Sequence, residues 1–170
     1  ADHDGYTNWR EYQGGTDPRN SGSHANDAPG DFRAWWPLDE GSGTNVASLV
    51  GTNLSGTLIG SRLPDWTGGV YSNALEFDGS QNEVVFPDDP QLSPTNQLAI
   101  TAWVKTSTNM TREVVAKWST NAVAGSYLLS LTNGQVMLEL MLGGQYTALV
   151  GNVAGLPDTD WHHIAGTYDG

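Results

Sequence analysis

Residues 127–150 read YLLSLTNGQVMLELMLGGQYTALV, and this stretch decides the fold class. Two dipeptides, Asn133-Gly134 and Gly143-Gly144, divide it into three apolar runs. Both dipeptides tolerate the positive φ angles of the type I′ turn, which joins neighbouring antiparallel strands through two residues. The stretch therefore predicts a three-stranded antiparallel meander.

Short apolar runs separated by Gly, Asn, Asp and Pro continue on both sides of this meander. No window holds a sustained helical apolar period, so the pattern is typical of an all-β fold, an antiparallel jelly-roll sandwich. The predicted strands are Arg33–Leu38, Gly56–Ile59, Ala74–Phe77, Glu83–Phe86, Leu98–Lys105, Glu113–Lys117, Tyr127–Leu131, Val136–Leu142, Tyr146–Val150 and Trp161–Tyr168. The predicted core residues are Trp35, Leu38, Leu75, Phe77, Ile100, Trp103, Val115, Leu129, Leu138, Trp161 and Ile164.

The chain has 170 residues, with 19 acidic and 7 basic side chains, a formal net charge of −12 and no cysteine. Nucleic acids and anionic membranes are bound by clustered Lys and Arg, so we expect neither as a partner. The lack of cysteine excludes disulfide frameworks, thiolate zinc sites and cysteine nucleophiles. No apolar run approaches the ~18 residues of a membrane span, so we expect no membrane insertion.

Residues 1–32 differ from the rest in composition, with six acidic and two basic residues among many Gly, Asn, Ser and Pro. The second half of this region has the composition of a flexible linker. We therefore expect a short segment at 1–18, a linker at 19–32 and a β domain at 33–170. Asp169-Gly170 is a hairpin turn signal without a return strand, which predicts that the chain continues in its parent protein.

An Asp-rich loop opens the chain, with Asp2, Asp4, the glycine at position 5 and Tyr6, and Glu11 follows. Calcium binds carboxylate and carbonyl oxygens that a compact loop with a turn glycine supplies at such spacing. The pattern predicts a calcium ion held by the Asp2, Asp4 and Glu11 side chains and the Tyr6 carbonyl. The first ligand of such a loop would precede residue 1. The alternative is a solvated linker that binds no metal.

The continuation Gly15-Thr16-Asp17-Pro18 makes residues 2–18 resemble the calcium-binding repeats of bacterial extracellular proteins, which are similar to thrombospondin type 3 repeats. The resemblance implies that Asp17 is a further calcium ligand. Calcium is therefore the expected cofactor.

Five blocks of the second part, taken in their order and spacing, resemble the laminin G-like (LamG-like) jelly roll of the concanavalin A-like lectin/glucanase superfamily. The blocks are Trp35–Gly43, Gly56–Leu58, Asn73–Gly79, Leu98–Lys105 and Trp161–Gly170. The resemblance implies an extracellular or cell-surface domain. Further strands follow the Asp-Gly turn in that family, so it also implies a jelly roll truncated at its C-terminus. An uncovered sheet edge would then permit self-association.

No catalytic residue is predicted. Glycosidases of this superfamily carry two carboxylates on one strand face in a Glu-x-Asp-x-x-Glu arrangement, because retaining hydrolysis needs a close carboxylate pair. Glu83, Glu113 and Glu139 each lack such a partner in the sequence. We therefore expect a protein that is not an enzyme.

Three further residues, a histidine pair and a serine, favour structural roles over metal binding. His162 and His163 are neighbours in a strand and would point to opposite faces, so they cannot jointly hold one ion without distortion. The resemblance places a possible second calcium ligand at position 48, but Ser48 replaces the usual Asp there.

Aromatic side chains beside loops are the candidates for stacking on a sugar ring, namely Trp66, Tyr71 and Tyr146. Core or rim packing is the alternative for each. The leading hypothesis is a non-catalytic adhesion or carbohydrate-binding module of a larger secreted or cell-surface bacterial protein, with a glycan or an extracellular protein as partner. The alternatives are a structural building block of an extracellular assembly and an accessory domain of a polysaccharide-degrading enzyme.

Overall fold

The computed structural model describes residues 32–51, 53–94, 96–118, 126–152 and 156–170. The predicted calcium segment and nearly all of the predicted linker lie outside these residues. The chain divides into two compact units, Ala1–Pro87 and Asp88–Gly170, called here the first and second units. The single β domain at 33–170 stays a prediction.

The first unit contains short antiparallel strands around a small core. Its strands are β1 (Asn45–Val46), β2 (Gly56–Gly60), β3 (Asp65–Gly68), β4 (Asn73–Glu76) and β5 (Asn82–Val85). They form a three-stranded sheet of order β1-β2-β5 and a β3-β4 hairpin. Val46, Leu58 and Leu75 are buried, and partly buried side chains that include Trp36, Trp66 and Phe86 pack against them.

The predicted strand at Arg33–Leu38 is wrong. Among the described residues this segment makes one isolated bridge, between Trp35 and Val50. The strand cannot continue because Pro37 lacks a backbone N–H and Leu38 has a φ of 58°. The Ser48 hydroxyl accepts a hydrogen bond from the Trp35 N–H at 3.4 Å and lies against the carbonyls of both bridge residues, so it braces the bridge.

The second unit is a two-layer antiparallel structure. Its strands are β6 (Leu98–Lys105), β7 (Arg112–Lys117), β8 (Ser126–Thr132), β9 (Gln135–Leu142), β10 (Gln145–Asn152) and β11 (Trp161–Tyr168). One sheet has four strands in the order β10-β9-β8-β7, and the other pairs β11 with β6. A 3-10 turn at Pro90–Leu92 begins after Asp89, whose side chain accepts a hydrogen bond from the Gln91 N–H.

The predicted meander is confirmed, because β8, β9 and β10 pair in sequence order. Asn133 and Gly134 have φ angles of 52° and 75°, and Gly143 and Gly144 have 55° and 77°. Positive φ at both central residues is the signature of type I′ turns. Local turn chemistry therefore sets the register of the three strands.

The core of the second unit lies between its two sheets. The four-stranded sheet contributes six buried side chains and β11 contributes Ile164. At Gly166 a Cβ atom would lie 3.2 Å from Leu138 and 3.3 Å from Leu129, so the sheets approach closely there. The buried side chains of the larger sheet are Tyr127, Leu129, Leu131, Val136, Leu138 and Leu140. The all-β class with antiparallel sheets is confirmed, and it is consistent with a jelly-roll sandwich.

Three predicted core residues are wrong. Phe77 is 46% exposed because it follows the last residue of β4 and leaves the hairpin. Trp103 is 41% exposed because side chains alternate along β6 and the face with Ile100 takes the core. Trp161 pairs with Lys105 and shares with it the face of β6 and β11 that is turned away from the core. Of the other predicted core residues, Leu75, Leu129, Leu138 and Ile164 are buried.

None of the helices in the described residues combines the length and the apolar character that crossing a membrane requires.

Candidate ligand-binding site

Two of the three predicted ligand-binding aromatics lie in the first unit. Trp66 is in β3, its ring packs against the buried cluster, and its indole N–H donates to the Gly43 carbonyl at 2.9 Å. This placement corresponds to the packing alternative for Trp66. Tyr71 lies in the turn between β3 and β4 and is 47% exposed.

Tyr146 lies in β10 of the second unit and is 54% exposed. Its hydroxyl donates to Oε1 of Glu139 at 2.5 Å. The β-ladder explains this contact, because Tyr146 is opposite Met141 and Glu139 is opposite Ala148, which makes Tyr146 and Glu139 diagonal neighbours on one face. The hydrogen bond holds the phenol ring over the sheet.

Trp118 completes this cluster. It directly follows β7 and is 40% exposed, and its ring meets that of Tyr146 edge-on, with centroids 6.3 Å apart and planes at 84°. Such T-shaped contacts are the preferred geometry of aromatic pairs. We call Trp118, Glu139 and Tyr146 the aromatic platform. Sequence reasoning missed Trp118 and Glu139 because their contacts with Tyr146 cross between strands.

The sheet face beneath the platform carries both apolar and polar side chains. Residues directly opposite in an antiparallel ladder share a face, so the registers of β8, β9 and β10 place one set of side chains on the face away from the core. Val150 is 58% exposed on this face, and its methionines are partly buried. The apolar members of the set are Leu128, Met137, Met141, Ala148 and Val150, and its polar members include Ser130, Thr132 and Gln135. The platform therefore adjoins a face that carries both apolar and polar side chains.

The hydrogen bond to the Glu139 carboxylate is the main reason that the pKa of Tyr146 is raised above its ordinary value of 10.0. The phenol therefore stays protonated at neutral pH and continues to donate. A carboxylate has several acceptor positions, so Glu139 can accept further hydrogen bonds beside the rings. The platform combines exposed ring surface with a fixed acceptor.

Family comparison decides the relationship of this chain. Residues 78–170, more than half of the chain, match the family model Laminin_G_3, described as the concanavalin A-like lectin/glucanases superfamily. The chain belongs to this superfamily. The match confirms the LamG-like jelly-roll resemblance. The thrombospondin type 3-like calcium repeat precedes the matched region and stays a prediction.

A solved structure has a similar fold to this concanavalin A-like chain. It is the 2.1 Å crystal structure of an S-layer domain-containing protein (residues 221–444) from Clostridium thermocellum ATCC 27405, with a TM-score of 0.57 and 19% sequence identity. The similarity covers 75% of this chain, which spans 60% of that chain. At this identity the comparison shows a shared fold. No curated protein matches the chain.

Because the concanavalin A-like superfamily includes glycosidases, the carboxylates near the platform bear on catalysis. Retaining hydrolysis needs two carboxyl groups about 5 Å apart. Among the described residues, Glu139 contacts the Tyr146 hydroxyl rather than a second carboxylate. No group of three or more His, Asp or Glu residues in those ranges could hold a metal ion. The expectation that this domain is not an enzyme stays a prediction.

The predicted opposite placement of the two neighbouring histidines is confirmed. His162 lies on the core side of β11, and its Nε2 is 2.9 Å from both carboxylate oxygens of Asp158. His163 is exposed on the other side, with its ring centroid 5.2 Å from that of Trp103. The predicted metal ligands Asp2, Asp4, Tyr6, Glu11 and Asp17 lie outside the described residues.

Proposed function

We propose that this chain is a non-catalytic carbohydrate-binding or adhesion module of a larger extracellular or cell-surface protein. One observation carries the proposal: an exposed Tyr146 ring, positioned by Glu139 and flanked by Trp118. Membership of the concanavalin A-like superfamily supports it. The same module would serve equally as the accessory domain of a polysaccharide-degrading enzyme.

The chemistry of the platform favours a neutral glycan. The apolar face of a sugar ring stacks on an aromatic ring, and a carboxylate accepts hydrogen bonds from sugar hydroxyls. Glu139 would repel an acidic sugar at the same place. A neutral oligosaccharide therefore fits the charge of this surface and its exposed ring.

Isothermal titration calorimetry with neutral oligosaccharides, such as cellohexaose and xylohexaose, tests the proposal. We expect binding by the native chain and loss of binding in Tyr146→Ala, because the stacking surface disappears. Glu139→Gln should weaken binding about tenfold, as expected for one charge-assisted hydrogen bond. Tyr71→Ala, which removes an exposed tyrosine of the first unit, tests the other exposed candidate in parallel.

Leu149→Ala is the matched control. Leu149 lies in the same strand as Tyr146, is opposite Leu138 on the other sheet face, and is 50% exposed. It should leave glycan binding unchanged. Equal loss in Leu149→Ala and Tyr146→Ala would assign the effect to β10 as a whole, and no binding of any neutral glycan by the native chain would reject the proposal.

A second candidate, a building block of an extracellular assembly, is favoured by the free edge of β10. Among the described residues, β10 pairs only with β9, and the strand carries no charged residue. Residues flanking a two-residue hairpin turn form a hydrogen-bonded pair, so Tyr146, Ala148 and Val150 direct their backbone groups to the free edge. Uncharged free edges are templates for pairing with another strand.

Analytical ultracentrifugation over a range of protein concentrations tests this candidate. Ala148→Pro removes one N–H at the free edge without removing a bond to β9, so it should reduce any self-association. High salt should strengthen association, because it screens the repulsion between two chains of net charge −12. A monomer at all concentrations and salt levels would reject the assembly role.

Calcium binding by Asp2, Asp4, Tyr6, Glu11 and Asp17 is a separate proposal, supported by the sequence pattern. A ligand that binds only the folded state raises the melting temperature. We expect a Ca²⁺-dependent rise in the native chain and a smaller rise in the double variant Asp4→Asn with Glu11→Gln. No shift at millimolar Ca²⁺ in the native chain would reject calcium binding.

A further inference from the structure

The outer face of the two-stranded sheet in the second unit carries a compact group of four side chains. The register pairs Trp161 with Lys105 and His163 with Trp103. Directly opposite residues share a face, and the alternation along β6 places Trp103 and Lys105 away from the core. We call these four residues the basic aromatic face.

The contacts within this face keep its side chains together. The rings of Trp103 and His163 have centroids 5.2 Å apart, and the Lys105 ammonium lies 6.0 Å from the centre of the Trp161 ring. Trp103 is 41% exposed, and both Lys105 and His163 are exposed. The face therefore presents an indole surface beside a cation.

The charge of this face comes from Lys105. In the described residues, Lys117 pairs with Asp88 and Arg62 pairs with Asp65, whereas Lys105, like Arg33 and Arg112, forms no ion pair. The other residues on this face of the two strands are uncharged, namely Ala99, Thr101, Ala165 and Thr167. A positive group without a carboxylate partner thus lies on a chain of net charge −12.

We propose that the basic aromatic face binds the uronic acid residues of an acidic polysaccharide. Trp103 stacks on a sugar ring, Lys105 forms an ion pair with the sugar carboxylate, and His163 lies alongside the ring as a hydrogen-bonding group. Alternate residues in a strand are about 7 Å apart, a spacing that suits a ring and its carboxylate.

The exposed indole of this face favours a polysaccharide over an acidic peptide. The Trp103 ring offers stacking area to a sugar ring, which the carboxylates of an acidic peptide would leave unused. The proposal extends glycan binding to a second surface with the opposite charge preference. It involves none of the residues of the aromatic platform, so either proposal can fail without the other.

Three probes separate the contributions in isothermal titration calorimetry with the whole chain: tetragalacturonate, its methyl ester and a poly-glutamate peptide. The methyl ester keeps the sugar rings but removes the negative charge. We expect tetragalacturonate to bind, the methyl ester to bind about tenfold more weakly because the charge-assisted bond is lost, and poly-glutamate not to bind. Equal binding of poly-glutamate and tetragalacturonate would overturn the stacking part of the proposal.

Variants assign the binding to this face. Lys105→Gln should weaken tetragalacturonate binding about tenfold and leave the methyl ester unaffected, because only the carboxylate contact is removed. Arg112→Gln makes the same change in net charge elsewhere on the chain. It should change tetragalacturonate affinity only through the small change in long-range electrostatics. Native affinity in Lys105→Gln would overturn the proposal. Loss of uronate binding in Tyr146→Ala but not in Trp103→Ala would assign the uronate to the aromatic platform instead.

Discussion

Strands β10 and β11 have the same length but different surroundings. Each has eight residues and pairs with one neighbour among the described strands. In β11, Ile164 and Gly166 are buried while the residues between and beside them are exposed. In β10, every residue from 145 to 151 is exposed, whichever face it lies on.

The difference shows that pairing alone does not bury a strand. Gly166 lies directly over Leu129 and Leu138, so β11 covers the middle of the larger sheet. Leu149 is opposite Leu138 in the ladder, yet it is 50% exposed. Strand β11 therefore closes the core, whereas β10 is available to carry a binding surface.

The largest expected contrast comes from removing one aliphatic side chain from each strand. Ile164→Ala should lower the free energy of unfolding by about 2–5 kcal/mol, because it leaves a cavity between the sheets. Leu149→Ala should change it by less than about 0.5 kcal/mol, because that side chain is half exposed. Urea unfolding followed by tryptophan fluorescence measures both. Similar losses in the two variants would mean that β10 contributes to the core.

A pair of glycine substitutions tests the same contrast by adding volume. Gly166→Val should cost about 1–3 kcal/mol, because its new atoms meet Leu138 and Leu129. At Gly151 in β10 the nearest atom to an added Cβ is the Val136 carbonyl oxygen, 3.8 Å away. Gly151→Val should therefore be tolerated within about 0.5 kcal/mol. A Gly151→Val variant that unfolds like Gly166→Val would contradict this account.

At acid pH, the stability of the fold should depend on Asp158, which contacts His162 of β11. The Asp160 N–H and then the His162 side chain hold the pKa of Asp158 below its ordinary value of 3.8. A depressed carboxyl pKa stabilises the fold above the unfolded-state value, and this contribution is lost as the pH falls through the folded-state pKa. Melting temperatures measured from about pH 6 to pH 2 should fall less steeply in Asp158→Asn than in the native chain.

At alkaline pH, the stability of the fold should depend on Tyr146 of β10, and we expect this effect to be smaller and more local. The raised pKa of Tyr146 means that its neutral form is stabilised, and this contribution is lost as the pH rises through the folded-state pKa. Glu139→Gln should shift the Tyr146 part of the tyrosinate absorbance to lower pH. That part is isolated by subtracting the Tyr146→Phe titration. Glu113→Gln, which removes an equal charge elsewhere, should leave it in place.

The local pattern predicted most of the second unit. The bounds of β6 and β11 match the prediction, and those of β8, β9 and β10 differ by one or two residues. Turn dipeptides and apolar runs act over a few residues, so they can be recognised without knowing the packing. The short strands β1 and β3 were not predicted, because their few residues carry no periodic signal.

The candidate site was predicted only in part, because the sequence indicates Tyr146 but not its neighbours. The Glu139 carboxylate is seven residues away along the chain and reaches Tyr146 only through the β9–β10 register. Trp118 follows β7, and β8 and β9 lie between β7 and β10 in the sheet, so its contact with Tyr146 crosses two strands. Contacts of this kind depend on which strands become neighbours.

The sequence by itself determined the all-β class, the meander at 127–150 and the concanavalin A-like resemblance, since turn propensity and the order of motifs are properties of the chain. Tertiary structure decided which face of each strand is covered. Trp103 was predicted in the core and is instead exposed beside His163, because the opposite face of β6 packs against the larger sheet. Burial depends on what lies across from a strand, and that is known only when both sheets are in place.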